Sequence, residues 1–504
     1  MSDDSPEFHL SILRALVHLD ADTAGDRRKE RHKKPVLPEV LSAATNPMPT
    51  LGQHPKHIAP LLDALAAICV QKEGQAYAVT MSLLENKVAL FVAENEPVAE
   101  KVTDHLKDVW NLVIDISRSA HDARPLSNSS SYVLSGRPAE LVRKLKDKLY
   151  EFSHARLTSR LEKRWSLLDP FLLDWRETLG KEFVLRFVSL QQALSAESPN
   201  FRRIAGEFDA MSSLLASKDF KLSEKQWEIR EHAWMAGNVA LVNQWRGNTS
   251  DKAFAPHRCI TKLFLFHTHV KSIISVALSQ RLSAYLSNSS VEVVSVQPWV
   301  CNDIPATPTM ADIDAVIRAH VGATDNIDDY EAKVEVVGDG LAPVPLETVT
   351  RLNAHCECSL LAYHLQNPNP TPLQYIGISK LCFACRIFLE LYNRHAREFG
   401  QKPFGFKGEH GKLYTKWVCL RIKASEEAGE DNALVVSLLD KVRETMVEVI
   451  KGCIIEHVKQ QAERRVISDS TVASREERED SDPEMQALLK EGIEVAAASK
   501  GLSL

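Results

Sequence analysis

The 504-residue chain lacks several features that would place it at once. It has no uninterrupted apolar run of about 18 residues, so no membrane span is expected. Its oiliest stretch, "CITKLFLFHTHVKSIISVAL" from Cys259, is broken by Lys262, His267, His269 and Lys271 and reads as a buried amphipathic helix. It has no excess of positive charge. Lys+Arg 61 against Asp+Glu 67 leave a net charge of -6, which excludes a globally basic nucleic-acid binder and leaves room only for a local basic face. Its first stretch, "MSDDSPEFHLSILRAL", opens acidic with a short apolar run and does not read as a secretory signal peptide. An intracellular location, cytoplasmic or nuclear, is therefore expected. Cysteine is scarce, with 9 in the whole chain, an odd number that does not suit a disulfide framework. No internal repeat is evident.

What remains is the make-up of a globular protein. Hydrophobic residues at 44% and charged residues at 25% suit a folded chain of this length, with room for roughly two to four domains. Residues 1–55 read as a polar leader, with the charge run "DRRKERHKK" from Asp26 and the proline-rich exit "NPMPTLGQHP". Residues 56–97 read as a helix, "HIAPLLDALAAICV", followed by a β-hairpin. Ala78, Val79 and Met81 precede the polar turn "LENK", and Val88, Leu90, Phe91 and Val92 follow it. Residues 98–340 are mostly helical. One long helix carries Val142, Leu145, Leu149, Phe152, Leu161, Trp165 and Leu168 on an apolar face and Arg143, Lys144, Lys146, Lys148, Arg156, Arg160, Lys163 and Arg164 on a basic one. That face is either a solvated surface or a phosphate-contacting one, which leans slightly towards a polymer substrate.

"VEVVSVQPWV" from Val291 and "YEAKVEVVGDG" from Tyr330 have strand composition, and Thr309 between them is a plausible helix N-cap. Within a core region 341–422, the segment 348–420 alternates: a helix from Val349 to Leu365, a strand "LQYIGIS", a helix from Leu381 to Glu398, and a strand "KLYTKWVCL". That order is an α/β sandwich pattern. A C-terminal helix follows over 423–465, through Val442, Met446, Val449, Ile450 and Cys453. The rest, 466–504, is an acidic tail expected to be disordered.

Cys356, Cys358, Cys382 and Cys385 cluster in one stretch of the chain. With them stand His355 and Glu357, an H-x-E pair, while Cys382 and Cys385 form C-x-x-C. Each half is weak alone. Together they match the signature of zinc deaminases, in which one His and two Cys hold Zn2+ and the Glu moves protons without binding the metal. The chemistry gives each type a reason. Three N and S ligands leave zinc a fourth, open position, the mark of a catalytic site. Zinc lowers the pKa of a water placed there. Helix N-termini favour the thiolates. A rival arrangement joins Cys356 and Cys358 to Cys382 and Cys385 in a closed structural zinc site, although residues two apart on a helix point in nearly opposite directions. A metal-free buried helix and a redox C-x-x-C are further readings. His364, seven residues past Glu357, reads as an ordinary surface histidine.

At these residues the sequence resembles a known family. "HCECSLLAYHL", "YIGISKLCFACRIFLELY" and "GEHGKLYTKWV", over about 350–420, look like the OTT-like branch of the nucleic acid/nucleotide deaminase superfamily, found widely in fungal proteins. The resemblance implies a cytidine-deaminase-like three-layer α-β-α sandwich, here with a large, mostly helical accessory region. It also implies bound zinc on His355, Cys382 and Cys385, with Glu357 as catalytic residue, and a nucleotide or nucleic acid as substrate. Two departures stand out: Leu381 where proline often precedes the first motif cysteine, and Cys356 where alanine is common. The hairpin at 76–95 resembles the opening of the deaminase sheet, whose final Asn lines the pocket, so Asn95 is a candidate substrate contact and 98–340 an insertion. The alternative is an independent helical N-terminal domain, with "VEVVSVQPWV" and "AKVEVVGDG" opening the sheet. His410 and Lys412, in a Gly-flanked loop, are either rim contacts to substrate or parts of a tight turn. The runner-up function is an inactive deaminase-like zinc-binding interaction module.

Overall fold

A computed structural model of the protein describes residues 5–23, 55–122, 135–216, 224–248, 256–279, 289–301, 352–407, 413–414, 417–422 and 430–470, with a few single residues between 282 and 316. Two compact units emerge. One is built from described residues of 1–66, 76–103 and 290–474, the other from those of 67–75 and 104–289.

The chain opens with α1 (Pro6–Thr23) and, after the next described stretch begins, α2 (Pro55–Ile68). It then forms a hairpin of β1 (Tyr77–Leu84) and β2 (Lys87–Glu94). The helical unit follows: α3 (Glu100–Asp122), α4 (Gly136–Asp174), α5 (Arg176–Leu179), α6 (Lys181–Leu194), α7 (Phe201–Ala216), α8 (Glu224–Gly237), α9 (Val239–Asn248) and α10 (Pro256–Ala277). Then come β3 (Ser290–Val296), β4 (Val300–Cys301), β5 (Leu352–Asn353), α11 (Cys356–Gln366), β6 (Tyr375–Ile378), α12 (Phe383–His395), β7 (Gly405–Phe406) and α13 (Glu430–Ser470).

The first unit is an α/β structure around a mixed five-stranded sheet in the order β3-β2-β1-β6-β7. β1 is antiparallel to both β2 and β6, whereas β2 with β3 and β6 with β7 run parallel. β1 lies in the middle and is buried from Tyr77 to Ser82. Its alternation sorts the sheet into two faces. Ala78, Thr80 and Ser82 pair with Ala93, Phe91 and Ala89 of β2. On that face Thr80 Oγ1 meets His364 Nε2 of α11 at 2.6 Å, so the small alanines lie under a helix. The opposite face receives α2. Gly377 of β6 sits so close to that helix that a Cβ would lie 2.2 Å from the Leu62 carbonyl carbon. Asp63, one residue on, accepts hydrogen bonds from Tyr375 Oη (2.9 Å) and from the Ile378 N–H (3.4 Å). Burial pushes its carboxyl up to about 6 against those donors.

Several expectations change here. Part of the polar leader is α1, whose Phe8, Leu10, Ile12 and Leu13 are buried in the same core as Val442, Met446 and Ile450 of α13. The apolar spacing in "FHLSILRAL" suits a packed helix despite its acidic flank. The helix expected from Val349 begins instead at Cys356, because Leu352 and Asn353 pair with Cys301 and Val300. Residues 417–420 of "KLYTKWVCL" are buried but join no ladder, and the sheet instead takes Gly405–Phe406. "VEVVSVQPWV" supplies β3, at the edge beside β2, rather than an opening strand. The expected tail begins too early at 466, since the last helix runs on to Ser470; "AKVEVVGDG", Thr309, the leader's charge run and the rest of the tail lie outside the described residues.

In the helical unit Leu145, Leu149, Leu161 and Leu168 of α4 are buried as their spacing predicts. Its basic face is largely spoken for within the unit. Lys146 pairs with Asp209 (2.6 Å), Lys148 with Asp108 (2.7 Å) and Lys163 with Glu73. Arg156 Nη1 donates to the Ala67 carbonyl (2.9 Å). The stretch from Cys259 is α10, packed through Leu263, Phe266, Val270 and Ile273. Among the described residues no helix is long and apolar enough to cross a membrane.

Candidate metal centre

Two helix N-termini meet at one place. His355 is the N-cap of α11, with extended φ -62 and ψ 157, and Cys382 is the N-cap of α12, with φ -82 and ψ 166. The backbone before His355 is pinned by Ala354 N–H donating to the Trp299 carbonyl (2.8 Å) and by Ser359 Oγ donating to the Ala354 carbonyl (3.1 Å). Asn95, just past β2, accepts the Cys356 N–H on Oδ1 (2.9 Å), capping α11 from a strand end. Its own carbonyl accepts from Asn353 Nδ2 (3.0 Å). The sheet thus carries α11 to a set position relative to the hairpin.

His355, Glu357, Cys382 and Cys385 are all buried, and one ligand atom from each lies within 4.8 Å of the others. His355 Nδ1 is 3.4 Å from both Cys382 Sγ and Cys385 Sγ. A tetrahedral zinc with ordinary Zn–N and Zn–S bonds would set nitrogen and sulfur about 3.5 Å apart, so the donor set fits that ion in kind and in spacing. Burial pushes the Cys382 thiol up, but hydrogen bonds with Cys385 and His355 outweigh it and bring the group down to about 6. Burial opposes charge on His355, yet Cys382 and Glu357 hold it above the usual imidazole value. Cys385 goes the other way: burial, with Cys358 and Cys382 adding to it, raises its thiol well above normal.

Glu357 is 1% exposed. Its Oε2 accepts from Cys356 Sγ at 3.0 Å, while its Oε1 is buried with no hydrogen-bond partner among the described residues. Burial first, then Glu357, pushes the Cys356 thiol well above its ordinary value and keeps it a donor. Cys358 turns elsewhere, 3.9 Å from Cys385 Sγ. The two thiols of α11 therefore serve different neighbours, one the carboxylate and one a sulfur of the cluster.

Residues 354–421 match the OTT-like deaminase family. No curated protein and no solved structure matches the chain. The OTT-like deaminase segment starts one residue before His355 and takes in Glu357, Cys382 and Cys385. It leaves out Asn95 and the hairpin, which only the fold brings to it.

Within the OTT-like deaminase segment, His364 is not the surface histidine that its place in the sequence suggests. It is 6% exposed, lies edge-on to Phe91 and stacks with Phe404. Seven residues are nearly two helical turns, so it shares the sheet-facing side of α11 and is buried there. Burial lowers its pKa to about 4. Two residues were not singled out from the sequence. Tyr414 stands edge-on to His355, with ring centroids 5.7 Å apart, and is 43% exposed. Trp417 donates its indole N–H to Cys385 Sγ at 3.1 Å. The local signal for them is the aromatic and apolar "YTKWVCL" that follows a Gly-flanked stretch. His410 and Lys412 lie outside the described residues.

Proposed function

We propose that this protein is a zinc-dependent hydrolase that deaminates a nucleobase carried by a nucleotide or a nucleic acid. The observation that carries this reading is Glu357, a buried carboxylate beside a His-Cys-Cys donor set, with one oxygen unpartnered among the described residues. A closed structural zinc site has no use for such a group. His355, Cys382 and Cys385 would hold the ion, and zinc bound there supplies the Lewis acidity that makes water nucleophilic near neutral pH.

The chain's own residues then handle protons. Cys356 holds Glu357 Oε2 and leaves Oε1 to receive a proton from the attacking water. The water oxygen bonds to the amidine-like ring carbon. Glu357 passes that proton to the ring nitrogen, then takes the hydroxyl proton of the tetrahedral adduct and delivers it to the amine, and the C–N bond breaks as the carbonyl forms. Water and C–NH2 become a carbonyl and ammonia, with atoms and charge balanced.

The fold reading is a cytidine-deaminase-like sandwich opened by β1 and β2. In its support, β1 runs antiparallel to both neighbours and β6 is parallel to β7, with helices on both faces. The helical unit is then an insertion between the hairpin and α11. Asn95, His410 and Lys412 are the proposed substrate contacts. An intracellular, reducing setting suits nine cysteines that are all free thiols.

The test measures zinc content and ammonia release for the wild type, Glu357→Ala and Cys356→Ala/Cys358→Ala. The substrates are cytosine and adenine nucleosides, nucleotides and single strands. Glu357→Ala is expected to keep its zinc and to lose ammonia release by about 100-fold or more. Loss of zinc from the double cysteine variant would favour a closed four-cysteine site. A zinc-loaded wild type silent on every base would leave an inactive binding module.

A further inference from the structure

Residues 417–422 pose a packing question. Trp417, Val418, Cys419 and Leu420 are each 3% exposed or less, yet the segment pairs with no strand. Buried backbone without a ladder needs other partners. At one point the partner is α1. Cys419 N–H donates to Glu7 Oε1 (2.8 Å), and Arg421 Nη2 stands 3.9 Å from Glu7 Oε2. At the other end the segment meets the metal centre, where Trp417 Nε1 lies 3.1 Å from Cys385 Sγ. An indole nitrogen can only donate, so once buried it needs an acceptor. Here that acceptor is one of the three proposed zinc ligands. The Cys358 thiol approaches the same sulfur at 3.9 Å, so the atom is addressed by two neighbours outside the ligand set.

We infer that Trp417 is a positioning residue for the metal centre: its N–H holds the Cys385 sulfur, and Glu7 of α1 keeps Trp417's segment in place. The inference rests on the proposed zinc reading. An N–H donor withdraws electron density from a metal-bound thiolate and fixes the direction of its lone pairs. Trp417 thus acts through Cys385 and touches neither substrate nor ion.

The test uses the full-length protein loaded with zinc, cobalt(II) or cadmium-113. Trp417→Phe keeps a ring in the core and removes the donor. Zinc affinity, read by competition with a chromophoric chelator, should fall by about 10–100-fold. The thiolate-to-cobalt charge-transfer band should move to longer wavelength, because the sulfur regains electron density. In the cadmium-113 wild type, one indole proton should show coupling to the metal across the N–H···S bond, a readout that needs no variant to fold. A folded Trp417→Phe protein with unchanged affinity and an unchanged band would overturn the inference, as would a cadmium form with no coupled indole. A wild type that binds none of the three ions would instead overturn the zinc reading beneath it.

Discussion

At residue scale the site turns on how one carboxylate is divided. Glu357 Oε2 is held by Cys356 at 3.0 Å, and Oε1 has no hydrogen-bond partner among the described residues. If the thiol directs the carboxylate, Cys356→Ser should work nearly as well as the wild type, since a hydroxyl still donates. Cys356→Ala should lower the ammonia-release kcat by about tenfold, the worth of one lost hydrogen bond to a charged group, with KM little changed. An equal fall for both variants, or a change in KM alone, would count against this role. The residues that form the donor set were legible in the sequence, because H-x-E and C-x-x-C need only a local helix start to present them. Trp417 and His364 were not. Nothing in the neighbouring residues says that an indole will find a sulfur 32 residues away, or that a histidine will find Thr80 284 residues away.

At the scale of elements, close approach is the constraint that composition hides. Gly377 is the reason α2 can lie against β6, since any side chain there meets the Leu62 backbone. Gly377→Ala should destabilise the first unit by on the order of 1–3 kcal/mol or more, read as a lowered denaturant midpoint, because backbone cannot move aside as a side-chain tip can. Glu7→Ala leaves the buried Cys419 N–H without its acceptor and should cost about 1–3 kcal/mol by the same measurement. A midpoint equal to wild type would mean that α1 does not secure residues 417–422. The hairpin was legible because two alternating apolar runs flank a polar turn. The segment "KLYTKWVCL" has strand composition without a described ladder, because such composition marks burial as much as pairing. β7, only Gly405–Phe406, is too short to leave a pattern in the sequence.

At the scale of the whole molecule, buried histidines set the response to acid. Burial lowers His105 to about 3 and His267, His269 and His364 to about 4; Lys148 adds to the effect at His105, as does Lys271 at His267. Their unfolded values lie near 6.5, so between about pH 6.5 and 4 the unfolded chain binds protons that the folded one refuses. Their contribution is therefore complete above about pH 6.5 and is lost as pH falls towards 4, or towards 3 for His105, on the order of 3–5 kcal/mol for each. Asp63, raised to about 6, acts in the opposite sense over a narrower range. Unfolding midpoints should thus drop between pH 7 and pH 5. His105→Phe, which preserves the stack on Phe152 (3.6 Å between centroids), should flatten that slope. An unaltered slope would show that His105 titrates normally.

The sequence by itself determined the chemistry offered: His355, Glu357, Cys382 and Cys385, each within two or three residues of its motif partner at the start of a helix. Short-range backbone geometry suffices for that. Only the tertiary structure decided what surrounds them. Asn95 caps α11 from 261 residues away, and Glu7 reaches Cys419 across 412 residues. Such contacts depend on the order of strands in the sheet and on which buried donors are left needing an acceptor. Both are settled only when the separate segments pack together, and neither leaves a periodic trace in the chain.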